Sequence, residues 1–533
     1  LYSSAASDVY KRQLLTSLTS LSFKNENNSY EVDRLQSSFV PDRYRTYNIG
    51  DETQSSETAQ LALLQNFTFK LSEKTKISFK NFLLQQGQKS TVYRTTANNR
   101  VYRTDDNGKG DWQGLWPNSS LVSERNIILG YTQRFFYTGN LTGDHIFGKE
   151  QRHKLNWNLG YLYSLQTIPD QRIIRLKNKI YGDYLAIPDY ENSNWIAAVR
   201  GMDYGSENGA YDVTRGIISR TWTKNSENSY NGSLDYEFKV SDKLIFKTGT
   251  YHLWKERILF RRVYTVNEGD VPNSGYPSQA YIGATHNGYM DFNRILFRER
   301  DLGQVWSNYY LNDEGTALKV IDRTSGSDAY TATEQNNSGY MMARFMPNKD
   351  KIDISAGVRV EYDRQKVAGS IPDNVDGALN VPVLVDVKKW NWLPSVNLSY
   401  KPVSSWVFRM AYGQTLNRPE FRELSPYSEL DYLNNQNISG NTNLVPSHIT
   451  GYDARVEWYP GNDQGNSISV GAFFKDIEKP IERITSRMLV FNIPLEIGFD
   501  NAENAKVKGL EVDVRQSLNS VSYTHLRAHE TRR

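Results

Sequence analysis

The chain has 533 residues, 38% of them hydrophobic and 13% aromatic, and its mean hydropathy is −0.64. No stretch approaches the roughly 18 to 20 apolar residues that a membrane helix needs, which excludes a helical membrane protein. Cysteine is absent, which excludes disulfides and thiolate chemistry, and 63 basic residues nearly balance 60 acidic ones, so no nucleic-acid partner is expected.

The two ends differ from the rest of the chain. Residues 1–13 and 521–533 show neither helical nor strand periodicity, and both resemble translated linker DNA. We therefore expect non-native tails on either side of one domain at 14–520. Without the tails, 58 basic and 58 acidic residues remain, so the slight positive charge belongs to the tails.

Alternation of apolar and polar residues dominates the interior, as is typical of strands with two different faces. We predict 13 strands, at about residues 57–70, 77–93, 123–142, 151–167, 213–240, 244–265, 331–346, 352–366, 387–400, 406–415, 447–459, 467–478 and 503–517. Several are close to the roughly 9 to 11 residues that a tilted strand needs to cross a bilayer.

Short and long connections alternate between these strands. Short ones, rich in turn-forming residues, lie at 72–76, 143–150, 241–243, 347–351, 401–405 and 460–466. Long ones lie at 94–122, 168–212, 266–330, 367–386, 416–446 and 479–502. This asymmetry predicts a large antiparallel transmembrane β-barrel with short periplasmic turns and long extracellular loops. Thirteen strands would be part of a barrel of about 22.

The polar strand face carries charges of both signs, among them Asp235, Glu237, Lys239, Asp353, Arg359, Glu361, Asp453, Arg455, Glu457, Glu511, Asp513 and Arg515. A pair of carboxylates could serve acid–base catalysis, as in a glycosidase. Here such pairs recur on strand after strand instead of converging on one site. We therefore interpret them as the wall of a wet lumen and expect no catalytic residues and no enzyme.

Metal and cofactor signals are weak. Residues 105–111 resemble a calcium loop, which needs oxygen ligands at alternate positions. Lys109 occupies one of those positions and no glutamate closes the loop, so an exposed turn is the better interpretation. The histidines are isolated in sequence, and we expect neither a metal nor a cofactor.

The long connections place aromatic residues among polar ones. Such rings can stack on sugars, catechols or peptide side chains, or they can pack the loops against each other. As candidate ligand-binding residues we name Trp112, Trp116, Trp195, Trp306, Tyr427 and Tyr432.

A group of motifs in the last third of the chain resembles the barrels of TonB-dependent outer-membrane receptors, especially those of the Bacteroidetes. Residues 409–427 read RMAYGQTLNRPEFRELSPY, similar to the family's strand-and-loop segment. GNTNL follows at 440–444, with Thr442 where the family usually has proline, and SVGAFFK follows at 469–475. The matching positions include Asn417, Arg418, Pro419, Phe421, Gly440, Asn441, Gly509 and Glu511.

The resemblance implies an outer-membrane receptor whose extracellular loops bind a small ligand such as an iron chelate, a glycan or a peptide. It also implies an N-terminal plug, missing from this chain, through which the TonB complex energises uptake, and contact with outer-membrane lipid. Two other classes stay open: a non-transporting binding or adhesion barrel, and a soluble secreted all-β carbohydrate-binding protein. Membrane fractionation separates the soluble class from the others.

Overall fold

The computed structural model describes residues 14–40, 43–98, 100–104, 110–114, 122–179, 196–198, 218–268, 296–298, 318–348, 351–372, 380–431, 436–460, 466–486 and 495–516. The first strands in chain order are β1 (Leu15–Val40), β2 (Arg43–Ser72), β3 (Thr75–Asn98), β4 (Arg100–Thr104), β5 (Gly110–Gly114), β6 (Val122–Phe147), β7 (His153–Lys179), β8 (Ile196–Ala198), β9 (Ile218–Lys239), β10 (Leu244–Glu268), β11 (Leu296–Arg298) and β12 (Leu318–Asp322). The others are β13 (Ala329–Phe345), β14 (Ile352–Pro372), β15 (Asn380–Tyr400), β16 (Trp406–Asn417), β17 (Ser428–Asp431), β18 (Gln436–Ser439), β19 (Ser447–Trp458), β20 (Ser467–Glu478), β21 (Ile481–Ser486), β22 (Leu495–Asn501) and β23 (Asn504–Arg515), with the helix α1 (Phe421–Leu424) after β16.

Fourteen long strands of the described chain form one antiparallel sheet in sequence order: β1, β2, β3, β6, β7, β9, β10, β13, β14, β15, β16, β19, β20 and β23. Each pairs with the next long strand along the chain. The architecture of successive antiparallel strands confirms the predicted fold class. No helix among the described residues has the length and apolar character to span a membrane.

The two faces of the sheet differ in chemistry. The outer face carries large apolar side chains that are well exposed, such as Trp392 (66%), Val512 (68%) and Leu510 (80%). The inner face carries polar side chains that are buried, such as Glu334, Asn336 and Ser338 on β13. Since exposed apolar surface on this scale is unfavourable in water, the outer face fits lipid and the inner face fits a lumen.

Aromatic side chains mark both borders of the outer face. Contacting rings line the border near the short turns at Phe147, His153, Phe238, Trp406 and Trp458, and the opposite border at Tyr161, Tyr230, Trp254, Tyr362 and Trp390. On β15 the band between the borders runs over 390–400, ending at Tyr400. This length matches a strand that crosses a bilayer, and aromatic rings are favoured where headgroups meet the acyl chains.

The structure corrects the sequence analysis in three places. A fourteenth long strand, β1, precedes the predicted ones; its apolar residues Leu15, Leu18 and Leu21 do not alternate with period 2. The predicted long connection at 367–386 is mostly strand, because β14 and β15 continue as a hairpin to Pro372 and from Asn380. Last, the other long connections contain strands too, at 94–122, 168–212, 266–330, 416–446 and 479–502.

The short connections, which all lie at one edge of the sheet, agree with the prediction. They lie at 73–74, 148–152, 240–243, 346–351, 401–405 and 459–466. The segments interpreted as tails, 1–13 and 521–533, lie outside the described residues.

A lysine placed on the outer face at mid-height tests this orientation. Val396 lies on that face of β15, between Tyr400 and Trp390, and is 43% exposed. We expect Val396→Lys to reduce the free energy of folding into a bilayer by about 2–4 kcal/mol, since a charge there faces acyl chains. Asn397→Lys, on the inner face next to it, is the control and should cost far less. Equal losses in a urea titration in lipid vesicles would contradict the assignment of the two faces.

Candidate functional site: a loop cap on the inner face

The inner face is covered, at the end opposite the short turns, by a folded cap, which we define as the described residues 418–431, 436–446, 479–486 and 495–503. β15 pairs with β16 only over 395–400, so the two strands separate above Ser395. The chain leaves β16 at Asn417, forms α1, and continues as β17 and β18. These strands join β21 and β22 in a four-stranded sheet in the order β17–β18–β22–β21, with β18 and β22 parallel. Two connections that are distant in sequence therefore make one unit.

An apolar cluster fixes the cap to the wall. Its buried members from the wall are Leu259, Tyr330, Ala332, Val367 and Val385, and those from the cap are Phe421, Leu424, Tyr427 and Leu444. Four wall strands, β10, β13, β14 and β15, thus contribute to one core with the cap. Burial of several large side chains here stabilises the cap by roughly 1.5–3 kcal/mol for each.

Two cations of the wall flank the ring of Phe421. The Nζ atom of Lys255 lies 4.9 Å from the ring centroid, and the guanidinium carbon of Arg257 lies 5.4 Å from it. Lys255 is also 2.8 Å from Glu334, and Arg257 is 2.5 Å from Glu227. Cation–π attraction adds to apolar burial at this ring. The family-motif phenylalanine therefore anchors the cap.

Arg418 ties the start of the cap to two carboxylates on β14. Its Nη2 donates to Glu361, and its Nε lies 3.1 Å from Oδ2 of Asp363. The side chain of Arg418 is 22% exposed, and those of Glu361 and Asp363 are 9% and 5% exposed. Asn336 donates to Glu361 at 3.2 Å. Burial raises the pKa of Asp363, and the neighbouring Arg418 opposes that rise only in part.

A second buried ion pair lies between Arg261 of β10 and Asp328. Arg261 Nε donates to Asp328 at 2.8 Å, and Nη2 donates to the carbonyl oxygen of Ser428 at 2.8 Å, which holds the first residue of β17. The guanidinium also lies 5.1 Å from the ring centroid of Tyr427. Burial raises the pKa of the Tyr427 hydroxyl, so this ring stays neutral at physiological pH.

The other motif residues shape the backbone of the cap and the wall. The carbonyl oxygen of Pro419 accepts from Gln365 at 3.0 Å. Asn441 donates from its backbone to Glu423 at 2.6 Å and from its side chain to the carbonyl oxygen of Phe499 at 2.9 Å. A Cβ atom at Gly440 would lie 2.6 and 2.8 Å from the carbonyl oxygens of Arg422 and Glu423, so only glycine fits.

Two further motif residues lie on β23. A Cβ atom at Gly509 would lie 2.6 Å from the ring of Phe473, so the glycine leaves space for that ring. Glu511 lies on the inner face opposite Gly471 and is exposed. Like the motif residues of the cap, Gly509 therefore has a structural role, which is to let strands and side chains pack closely.

The structure places only two of the predicted ligand-binding aromatic residues, and their surroundings differ. Trp112 pairs with Tyr102 in the β4–β5 hairpin, and Tyr427 is buried in the apolar cluster at 2% exposure. Trp116, Trp195, Trp306 and Tyr432 lie outside the described residues, as do 105–109 of the calcium-like segment. The ligand-binding role of these aromatics stays a prediction.

Sequence analysis missed the charged partners of the cap, namely Lys255, Arg257, Arg261, Asp328 and Asp363. A signal was available in part, because β10 carries basic residues at 255, 257 and 261, all on one face of the strand. Their partners lie far away in sequence, so the pattern could not show what they bind. Among the described residues, no group of three or more acidic or histidine side chains is arranged to hold a metal.

The family profile described as TonB dependent receptor-like, beta-barrel matches residues 170–533. The chain therefore belongs to this family, whose barrels lie in the outer membrane. No curated protein matches the chain significantly in sequence.

The chain is also similar to three solved structures. They are a hemophore receptor, HasR of Serratia marcescens (10% identity, TM-score 0.41, 89% of this chain and 61% of that one), the copper transporter OprC (10%, 0.46, 95% and 60%) and the ferric-catecholate import receptor Fiu of E. coli K12 (10%, 0.43, 95% and 62%). The chain spans about three fifths of the length of these proteins. The family assignment rests on the profile match.

Removing Arg418 tests the ion pair that holds the cap. We expect Arg418→Ala to lower the free energy of unfolding by about 3–5 kcal/mol, because it leaves Asp363 buried without its cation and leaves Glu361 with Arg359 alone. The measurement is denaturant unfolding of the complete receptor in detergent, followed by limited proteolysis of the cap.

The control is Arg364→Ala, which removes an exposed pair with Asp386 and should cost about 1 kcal/mol or less. Asp363→Asn should cost less than Arg418→Ala, since burial already favours the neutral carboxyl. The raised pKa means that ionisation of Asp363 reduces stability as the pH rises through that pKa, and the Asn variant should lack this dependence. Equal losses for Arg418→Ala and Arg364→Ala would show that the cap is held by its apolar cluster alone.

Proposed function

We propose that the chain is part of an outer-membrane receptor that binds an extracellular nutrient and takes it up in a TonB-dependent manner. Membership of the receptor family supports this function. The observation that carries it is the cap: two extracellular connections fold onto the inner face and lie between the outside and the lumen. Segments at this place can bind a ligand and admit it to the barrel.

The charges around the cap support a binding role. Arg422 donates to Glu429 at 2.9 Å, and Arg483 donates to Gln436 at 3.0 Å, within the cap itself. The side chains of Arg422 and Glu429 are each about two fifths exposed. A mouth with polar groups and aromatic rings fits a small ligand such as an iron chelate, a glycan or a peptide.

The partners and the subtype are part of the proposal. In the complete protein, a plug domain would fill the lumen and connect the receptor to the TonB complex, and outer-membrane lipid would surround the wall. The segment from Asn417 to Phe421, with Gly440 and Asn441, supports a receptor of the Bacteroidetes type.

Uptake by the complete receptor tests the function. We expect a strain that lacks the gene to lose growth on one scarce nutrient, and the intact gene to restore it only when TonB is present, because transport across the outer membrane needs an external source of energy. The measurement is uptake of the labelled nutrient. Binding to whole cells without uptake, in the presence of TonB, would contradict transport and favour a binding or adhesion barrel.

Loop tryptophans test the location of the ligand site. With the nutrient identified, we expect alanine at Trp112, Trp195 or Trp306 to weaken binding by about 1–3 kcal/mol wherever the ring is a central contact. Calorimetry on the purified receptor measures the change. Trp390→Ala, on the lipid-facing border, serves as the control and should leave affinity unchanged. Unchanged affinity in all three loop variants would reject these residues as the ligand site.

A further inference from the structure

The β14–β15 hairpin extends beyond the bilayer band and carries basic residues on its outer face. The aromatic border here is the pair Tyr362 and Trp390, whose ring centroids are 5.0 Å apart. In the next two rows above this pair, Arg364 lies opposite Lys388 and Lys366 lies opposite Asp386. These four side chains, which we call the hairpin patch, contain three cations and one carboxylate.

Neighbouring parts of the wall lack such a patch at the same height. Above Tyr230 and Trp254, the next row pairs Asn228 with Glu256, and the row beyond pairs Ser226 with Ile258. Above the pair of Tyr137 and Tyr163, the rows are Phe135 with Leu165 and Gln133 with Thr167. Within these two rows, positive charge is therefore concentrated at the hairpin; above Tyr230 the first cation of this face, Lys224, lies one row higher.

The carboxylate in the patch holds two of the cations in place. Arg364 donates from Nε and Nη2 to the two oxygens of Asp386, both at 2.8 Å, and Lys388 lies 3.2 Å from Asp386. Hydrogen bonds from Arg364 hold the pKa of Asp386 at about 2, so the carboxylate stays charged at neutral pH. Lys366 is exposed. The patch thus keeps a surplus of two positive charges with donors still directed to solvent.

We propose that the hairpin patch binds the phosphate of an anionic lipid headgroup in the outer leaflet of the outer membrane. Trp390 and Trp392, 64% and 66% exposed, lie directly below the patch and face the acyl chains. A molecule that covers both regions must have an apolar part and a charged phosphate at the headgroup level. Arg364, Lys366 and Lys388 supply charge-assisted hydrogen bonds to that phosphate. This inference rests on the lipid-facing orientation of the hairpin and is independent of nutrient uptake.

The experiment uses the complete receptor in phosphatidylcholine nanodiscs that contain a small fixed fraction of phosphorylated lipid A. Native mass spectrometry measures how much lipid A stays bound. We expect R364Q/K366Q/K388Q to weaken its retention about tenfold or more, since each basic residue near a charged headgroup contributes a separate attraction. K366Q alone, at an exposed position, should weaken retention severalfold.

The matched control removes three lysines from the inner face of β2 and β3, in the variant K70Q/K76Q/K80Q, and should retain lipid A like the parent. Dephosphorylated lipid A should bind the parent and the triple patch variant equally. Equal retention of phosphorylated lipid A by the parent and the patch variant would overturn the proposal. So would displacement of lipid A by inorganic phosphate at equal phosphate concentration, because the patch would then be a site for free phosphate.

Discussion

Backbone amides inside a bilayer have no water to bind, so every strand that crosses it must pair on both sides with another strand. This requirement explains the antiparallel run from β1 to β23 and its connections between sequence neighbours. It also fixes the faces, because one register places all even or all odd residues of a strand on the same side. The apolar outer face, the polar inner face and the two aromatic borders follow from that pairing.

The cap is held by side-chain contacts and not by strand pairing with the wall. It lies on the polar inner face, where apolar contact alone is limited, and it is held by one apolar cluster together with buried ion pairs. Arg418 with Glu361 and Asp363, and Arg261 with Asp328, place charges where few solvent contacts remain. A buried ion pair contributes little net stability when both partners are present, but it penalises the loss of either one. Such pairs specify where the cap lies more than they add to its stability.

Local pattern predicted much of the wall. Alternation located 13 of the 14 long strands in the described chain, and turn-forming residues located the short connections. It failed at β1, where Leu15 and Leu18 are three apart, and at 367–386, where the alternating valines from Val381 to Val387 belong to a hairpin that rises above the bilayer. Alternation reports which face is apolar, and it does not report where a strand leaves the membrane.

The sequence by itself determined the strand order, the two faces and the family, because period-2 alternation and the motif at 409–427 are local properties of the chain. Only the tertiary structure decided what the motif residues do. Phe421 lies between Lys255 and Arg257, and Arg418 meets carboxylates on β14, although more than fifty positions separate each pair in sequence. Ion pairs of this kind depend on the register of strands that meet only in the folded sheet, and no local pattern encodes that register.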